Sequence, residues 1–554
     1  MRKPVIFAVM VPFALGAAPL AAQSYQGRDA QGPQQAGEED EAPATGRRAS
    51  VQPYIEASQI VTWQMSPGDD VLTYTQLAAG VDAALQGRNN GASVSLRYER
   101  NFGYGDASDS DALTGLARGY ATIVPNTLTM EAGALASRTS VDTGGANIFN
   151  PAIDEDLSTE TYAGYVGPNL TTRVRDVDVT ANYRLGYTKV DGPDLVTANG
   201  NQVDVFDESV THSANFRAGL APYQPLPIGV GVGAGYFQED VDNLDQRVSD
   251  AYVRGDVTIP VTPVLAVVAG VGYENVEVSS RDAVRDGAGV PVIGADGRFV
   301  TDENSPRRLA FEAEGLIWDV GVVWRPSQRT ALEAHYGHRY DSETFYGTFT
   351  WQPSRDTNVG VAVYDGISGF GGRLTNALAA LPTDFQVIRD PVSGEIIGCA
   401  GAVGAGSCLD GALGSIRSSV FRSRGVVASY SRQVGQSTAS IGAGYDRRNF
   451  IGAPGTILAT ADGVVDESIY LNAGVSGPLS RNSSYTVTTY ASWFDSGVTN
   501  IGDTFALGSS AAYYRNLTRN LTARAAVALN YLDSELTAED LKTASALVGL
   551  RYDF

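Results

Sequence analysis

From Val51 to Phe554, apolar residues return at every second position in segments too long for an ordinary soluble sheet. In 177–187 the odd positions are Val177, Val179, Ala181, Tyr183, Leu185 and Tyr187, and the intervening residues are polar or Gly. Over 92–99, 176–187, 484–493, 521–531 and 543–554, one parity is apolar at 26 of 27 positions and the other at 4 of 26. Successive side chains of a strand point to opposite faces, so each segment has one oily face and one wet face. A helix would show a period of about 3.6 residues instead. Many segments run 9 to 13 residues. Soluble strands average about 5–6, whereas a tilted strand crossing a bilayer needs about 9–11.

Lipid offers no hydrogen bonds to an open sheet edge, so a spanning sheet must close on itself. The links support this. Short ones rich in Pro, Asn, Gly and Ser, such as Gln86–Gly91, Val124–Thr127, Gly167–Asn169, Pro222–Pro227, Arg325–Arg329 and Gly477–Asn482, alternate with longer ones such as 138–158, 274–307 and 365–416. Such residues set turn geometry. Ten short turns and eleven long loops predict an all-β, transmembrane, antiparallel up-and-down β-barrel of about 22 strands (range 18–24), with both termini and the short turns on the periplasmic side.

Composition narrows the functions. With Lys+Arg 40 and Asp+Glu 62 the net charge is −22, which excludes nucleic-acid binding through a basic face. No apolar run of about 20 residues follows the N-terminus, which excludes a helical membrane bundle. Residues 1–22 (MRKPVIFAVMVPFALGAAPLAA) have the basic start, short apolar stretch and small residues of a secretory signal peptide. Residues 23–50, with the run Glu38–Glu39–Asp40–Glu41, read as a flexible acidic periplasmic tail, and 51–554 as the barrel. Export implies an oxidising destination, so Cys399 and Cys408 are expected to form a local disulfide. No metal or cofactor is expected, since the chain has only His212, His335 and His338 and none lies near the cysteines.

Aromatic residues collect at the strand ends on the apolar parity, among them Trp63, Tyr187, Trp324, Trp351, Trp493 and Tyr552. Amphipathic rings prefer headgroup depth, so these are expected to form the girdles of a membrane barrel. The C-terminal LVGLRYDF places Gly549, Tyr552 and Phe554 in a pattern similar to the signal read by the outer-membrane barrel assembly machinery, the partner expected during biogenesis.

On the wet parity, Arg97, Glu99, Asp178, Arg184, Arg217, Arg254, Asp256, Asp319, Glu333, Arg339 and Arg524 are expected to face the lumen. They would line an aqueous channel with a transverse field or pair across strands and fill space. Loop 365–416 carries the apolar stretch Leu374–Leu381, suited to a helix, and is expected to act as a lid or pore constriction. Glu239, Asp240, Asp242, Asp245 and Asp250 read as an acidic outer loop able to bridge to surface glycan through divalent cations. No enzyme is expected. His335, beside Glu333, is the one candidate general base, and no nucleophile elbow accompanies it.

Leader, short tail, long barrel and aromatic last residue, with YDGISGFGGRL at 364–374 and PYIEASQ at 53–59, resemble the bacterial β-barrel porin 2 group. That group includes outer-membrane proteins encoded beside exopolysaccharide genes. The polar lumen parity and the lack of a plug point to a porin-like channel for small solutes, and the leader to export to the bacterial outer membrane. It would contact outer-membrane lipid and surface glycan, and a barrel this wide is expected to be a monomer. TonB-dependent receptors also have 22 strands, but their N-terminal plug exceeds a hundred residues, and the short segment before strand one speaks against that class. Two further readings stay open: a partner-dependent barrel in exopolysaccharide export or envelope assembly, and a soluble exported β-protein that binds carbohydrate.

Overall fold

The computed structural model describes residues 48–554 apart from 106, 142–146, 149–157, 193–194, 197–201, 204–207, 384, 386, 388, 397–417, 499–501 and 536–539. Twenty-two long strands dominate it. The first eleven are β1 (Arg48–Ser66), β2 (Asp70–Gln86), β3 (Asn90–Tyr104), β4 (Ser110–Val124), β5 (Leu128–Val141), β6 (Ser158–Val174), β7 (Val177–Asp191), β8 (Glu208–Leu220), β9 (Gly229–Val241), β10 (Gln246–Thr262) and β11 (Leu265–Ser280). The rest are β12 (Arg308–Ser327), β13 (Thr330–Arg339), β14 (Ser342–Ser354), β15 (Thr357–Ser368), β16 (Phe421–Val434), β17 (Ser437–Phe450), β18 (Val465–Ser480), β19 (Ser483–Asp495), β20 (Asp503–Asn516), β21 (Leu521–Ser534) and β22 (Leu541–Asp553). One helix, α1 (Phe370–Ala380), follows β15.

Each strand pairs antiparallel with the next in sequence, and β1 pairs with β22 from Tyr54↔Asp553 to Ser66↔Lys542. The sheet therefore closes, and no long edge is left for lipid to meet. This is the expected 22-strand barrel. The short links gather at the end that carries both chain termini, called here the turn end, and the long links at the loop end.

One turn differs from the sequence expectation. Gly167–Pro168–Asn169 is not a turn but lies inside β6, which continues to Val174. The reversal sits at Arg175–Asp176, where Arg175 takes a φ of 57°. Pro168 is tolerated in the strand because the β6–β7 ladder skips two pairs there, from Val166↔Leu185 to Asn169↔Asn182.

The two parities divide as alternation demands. Outward residues such as Val71 (61% exposed), Leu529 (60%) and Val548 (68%) sit bare, while inward Ile60 is 0% exposed. A continuous apolar band around the outside suits a hydrocarbon surround and would be costly in water. Inside, large rings lie flat against the wall. Tyr54, Tyr165, Tyr252, Tyr470 and Tyr490 each stand opposite a glycine of the adjacent strand (Gly80, Gly133, Gly235, Gly444 and Gly508), and a Cβ on any of these glycines would overlap the ring. The many glycines of the wet parity are thus the floor on which lumen tyrosines rest. Toward the loop end the lumen turns apolar, with Phe237, Val248, Val276, Val278, Ile367 and Val420 in one buried cluster.

Candidate functional site

The polar wall of the lumen and the segment inserted between β15 and β16 form the candidate site. Arg97, Glu99, Arg184, Arg217, Arg254, Glu333 and Arg524 lie on the inward parity, and all but Arg184 meet a group of opposite or titratable charge. On β1–β3, Arg97 holds Glu99 at 3.0 Å, Gln76 at 3.1 Å and also Glu56, whose carboxylate takes Arg524 at 3.1 Å and Arg551 at 3.5 Å. Arg97, Glu99 and Glu56 are all buried. On β8–β13, Arg217 grips Asp256 through both nitrogens, and Arg254 meets Asp319 at 2.7 Å. His335 lies between Asp319 (2.9 Å) and Glu333 (3.2 Å) and stacks on Tyr346 at 4.6 Å. Both its ring nitrogens are occupied, so it is a wall residue. His212 faces outward and bonds Tyr183 at 2.7 Å, and His338 is partly exposed near Asp341. Such mutual neutralisation keeps a wet wall at low net charge.

The sequence reading placed Arg339 in the lumen but missed Asp365, Asp446 and the arginines they hold. Arg339 bridges Asp250 (2.7 Å) and Glu274 (2.9 Å), Arg422 and Arg424 share Asp365, and Arg373 and Arg448 share Asp446. The alternation signalled which parity they occupy. Only the register decides which charge faces which. The expected acidic loop is also corrected. Glu239 and Asp250 are inward residues of β9 and β10; the pleat turns Asp240 the other way, and Asp242 and Asp245 lie in the link between the two strands.

The inserted segment begins with α1, four residues ahead of the apolar stretch read from sequence. The reason is tertiary. Gly369 at the N-cap has no side chain to satisfy the free N–H groups of the first turn. Glu239 supplies the missing acceptor, taking Gly369 N–H at 2.7 Å and Gly372 N–H at 2.9 Å. A carboxylate at the positive end of the helix is favourable by roughly 0.3–2 kcal/mol. Glycine is needed at 371 and 372, because a Cβ there would overlap Ser209 and Glu239. Phe370, Leu374, Leu378 and Leu381 form the buried face of this segment, packed on inward Leu116, Leu135, Ala163, Tyr165 and Val190. Each such side chain contributes about 1.5–3 kcal/mol.

After Leu381 the chain runs along the inner wall. Ser93 donates to the Thr383 carbonyl at 2.8 Å, and Arg184 reaches Asn376 at 3.3 Å. Arg389 bonds Thr114 Oγ1 at 2.6 Å and pairs in an isolated bridge with Ile396. Between them Asp390 caps a tight turn by accepting from Val392 (2.8 Å) and Ser393 (2.9 Å), with Gly394 at φ 75°. Val392 then enters a cluster with Ile60, Ala512, Ala526, Ala528 and Leu547 of β1 and β20–β22. Glu395 in this turn is buried with neither carboxylate oxygen hydrogen-bonded. Burial pushes its carboxyl up to about 8, with Asp390 and Glu99 acting in the same direction against Arg138. Cys399 and Cys408 lie outside the described residues, as do the leader and nearly all of the tail.

Of the predicted belt aromatics, Trp63, Tyr187 and Trp493 lie toward the loop end and Trp324, Trp351 and Tyr552 toward the turn end. All but Trp493 are exposed, and Trp493 is half-buried. At the C-terminus Tyr552 and Phe554 pack edge to face at 5.1 Å, and a Cβ on Gly549 would overlap Ser58 of β1.

No family model matches the chain, and no curated protein does. Solved barrels do. The FrpB iron transporter of Neisseria meningitidis is 10% identical with a TM-score of 0.45, over 90% of this chain and 81% of its own. The siderophore receptor PiuA of Acinetobacter baumannii is 10% identical (TM-score 0.42; 91% and 82% covered). The ferric-catecholate import receptor Fiu of E. coli K12, in a closed form, is 8% identical (TM-score 0.44; 90% and 81% covered). The chain is a closed, 22-strand transmembrane β-barrel. Two expectations are corrected. The barrels it is similar to are iron and siderophore transporters, not the β-barrel porin 2 or exopolysaccharide-locus group. The porin-like channel for small solutes is the second: the lumen it relied on holds the inserted segment just described, and the similar barrels are iron and siderophore transporters.

Proposed function

We propose that the protein is a substrate-selective, partner-dependent transporter of the outer membrane, held shut by its own 369–396 segment until a partner displaces it. The observation that carries this reading is the seating of that segment on opposite parts of the wall. One anchor is Glu239 under α1, a second is Arg389 on Thr114, and a third is Val392 between β1 and β20–β22. A constriction fastened in this way acts as a gate, because each contact is separable without unpairing a strand. The reading extends to exopolysaccharide export or envelope assembly. The paired Arg–carboxylate wall with its tyrosine hydroxyls offers a polyhydroxylated chain many hydrogen bonds at little net charge.

Planar-bilayer recording tests the gate. The intact chain is expected to be silent and a chain lacking 369–396 to conduct. Steady conductance by the intact chain sinks the proposal. In-cell photocrosslinking from the turn end tests the partner and is expected to capture a second envelope protein needed for transport.

A further inference from the structure

The turn end carries a charge pattern at odds with the acidity of the chain. The five consecutive links from β12 to β21, with the strand ends that flank them, hold Arg325 and Arg329, then Arg355, Arg432, Arg481, and finally Arg515 and Arg519, all exposed. The sole carboxylate in those links is Asp356. The links 125–127, 221–228 and 263–264, elsewhere on the same rim, carry no charged residue at all. Arg88 and Arg175, the latter beside Asp176, stand in two other links of the rim, and the seven remaining arginines form an arc, in a protein whose net charge is −22.

The arc is in register with the outward aromatic belt. Trp351 lies four residues before Arg355, and Tyr430 and Tyr513 lie two before Arg432 and Arg515, each pair at same-face spacing, while Trp324 lies near the end of the strand that leads to Arg329. All four rings are exposed on the outer face. Such rings settle at the level of lipid headgroups. At about 3.3 Å of rise per residue, the guanidinium groups stand just beyond the rings, where the lipid phosphates lie. Guanidinium is the side chain best matched to a phosphate, through paired N–H donors. A basic cluster set beside a membrane surface attracts anionic lipid.

We propose that this arc is a binding surface for anionic glycerophospholipid headgroups of the leaflet at the turn end, and that it fixes how the barrel sits in that leaflet. The chemistry recognised is a lipid phosphodiester carrying net negative charge. The inference is independent of the gate and of any cargo.

The test uses the whole folded chain, with folding checked by heat-modifiable migration in gels. Reconstituted in nanodiscs of equal phosphatidylglycerol and phosphatidylcholine and released into detergent, the protein is expected to retain phosphatidylglycerol several-fold over phosphatidylcholine by native mass spectrometry. The preference should shrink in high salt. It should disappear when the seven arginines become glutamine, persist when they become lysine, and survive R88Q/R175Q outside the arc. If the sevenfold variant does not fold, R432Q/R481Q/R515Q/R519Q is expected to lose more than half of the preference. Equal retention of both lipids overturns the proposal, as does a preference that survives the glutamine variants. Stronger retention of lipid A phosphate than of phosphatidylglycerol, or of an acidic peptide in place of lipid, overturns it too.

Discussion

Glu239 accepts the backbone N–H of Gly372 at 2.9 Å, tying a strand of the barrel wall to the first turn of the helix inside it. Its other oxygen holds Gly369 N–H at 2.7 Å. A wall residue thus does what the helix's own N-cap cannot.

Removing this acceptor should loosen the segment without harming the barrel. Loss of a helix N-cap costs about 0.5–2 kcal/mol. E239A is expected to show brief openings in planar bilayers several-fold more often than the native chain, with E239Q in between. Identical silence in all three would mean that the helix end plays no part in gating.

The Arg97 cluster is expected to matter for stability more than for gating. R97A leaves Glu56 and Glu99 buried without their main partner. Breaking such a pair costs roughly 3–5 kcal/mol. Urea unfolding in lipid vesicles should show a lowered midpoint, and R97M/E99Q should recover part of the loss.

Glu395 predicts a pH dependence. Its carboxyl lies at about 8 when buried, against an ordinary value of about 4.3. The seated segment keeps a proton that the displaced segment has lost. Its seating is therefore complete below about pH 4.3, weakens as pH rises toward 8, and levels off above that. Tryptic cleavage at Arg389, compared at each pH with E395Q, should rise over this window in the native chain only.

Leu529 and Asn530 are neighbours on opposite faces of β21. Arg at a lipid-facing midplane position costs about 2–4 kcal/mol, whereas a lumen position tolerates it. L529R is expected to fold poorly into vesicles and N530R to fold nearly as well as the native chain. The reverse order would turn the barrel inside out.

A last test concerns the glycine floor. A Cβ on Gly508 would overlap the Tyr490 ring. G508A should lower stability by about 1–3 kcal/mol through overpacking, and the double change with Y490A should restore most of it.

Alternation needs only the neighbouring residue to be read, so barrel, face and nearly every link were legible from the chain alone. Gly167–Asn169 misled because Gly, Pro and Asn are turn residues by local preference, while the ladder around Pro168 absorbs them into β6. The parity of Arg97 and Glu99 was legible too, but not that Glu56, 41 positions from Arg97, is a partner. The start of α1 was hidden for a similar reason, since Gly369 and Gly372 look like helix breakers until Glu239, 133 positions from Gly372, is brought beneath them.

The order of residues along the chain determined which face of each strand meets lipid and where the chain reverses, because both follow from side chains one to four positions apart. Closure at the β1–β22 seam, the pairing of lumen charges and the seating of 369–396 were decided only by the tertiary structure. Each joins groups tens to hundreds of positions apart, and their energies exist only once strand register has set which atoms face each other.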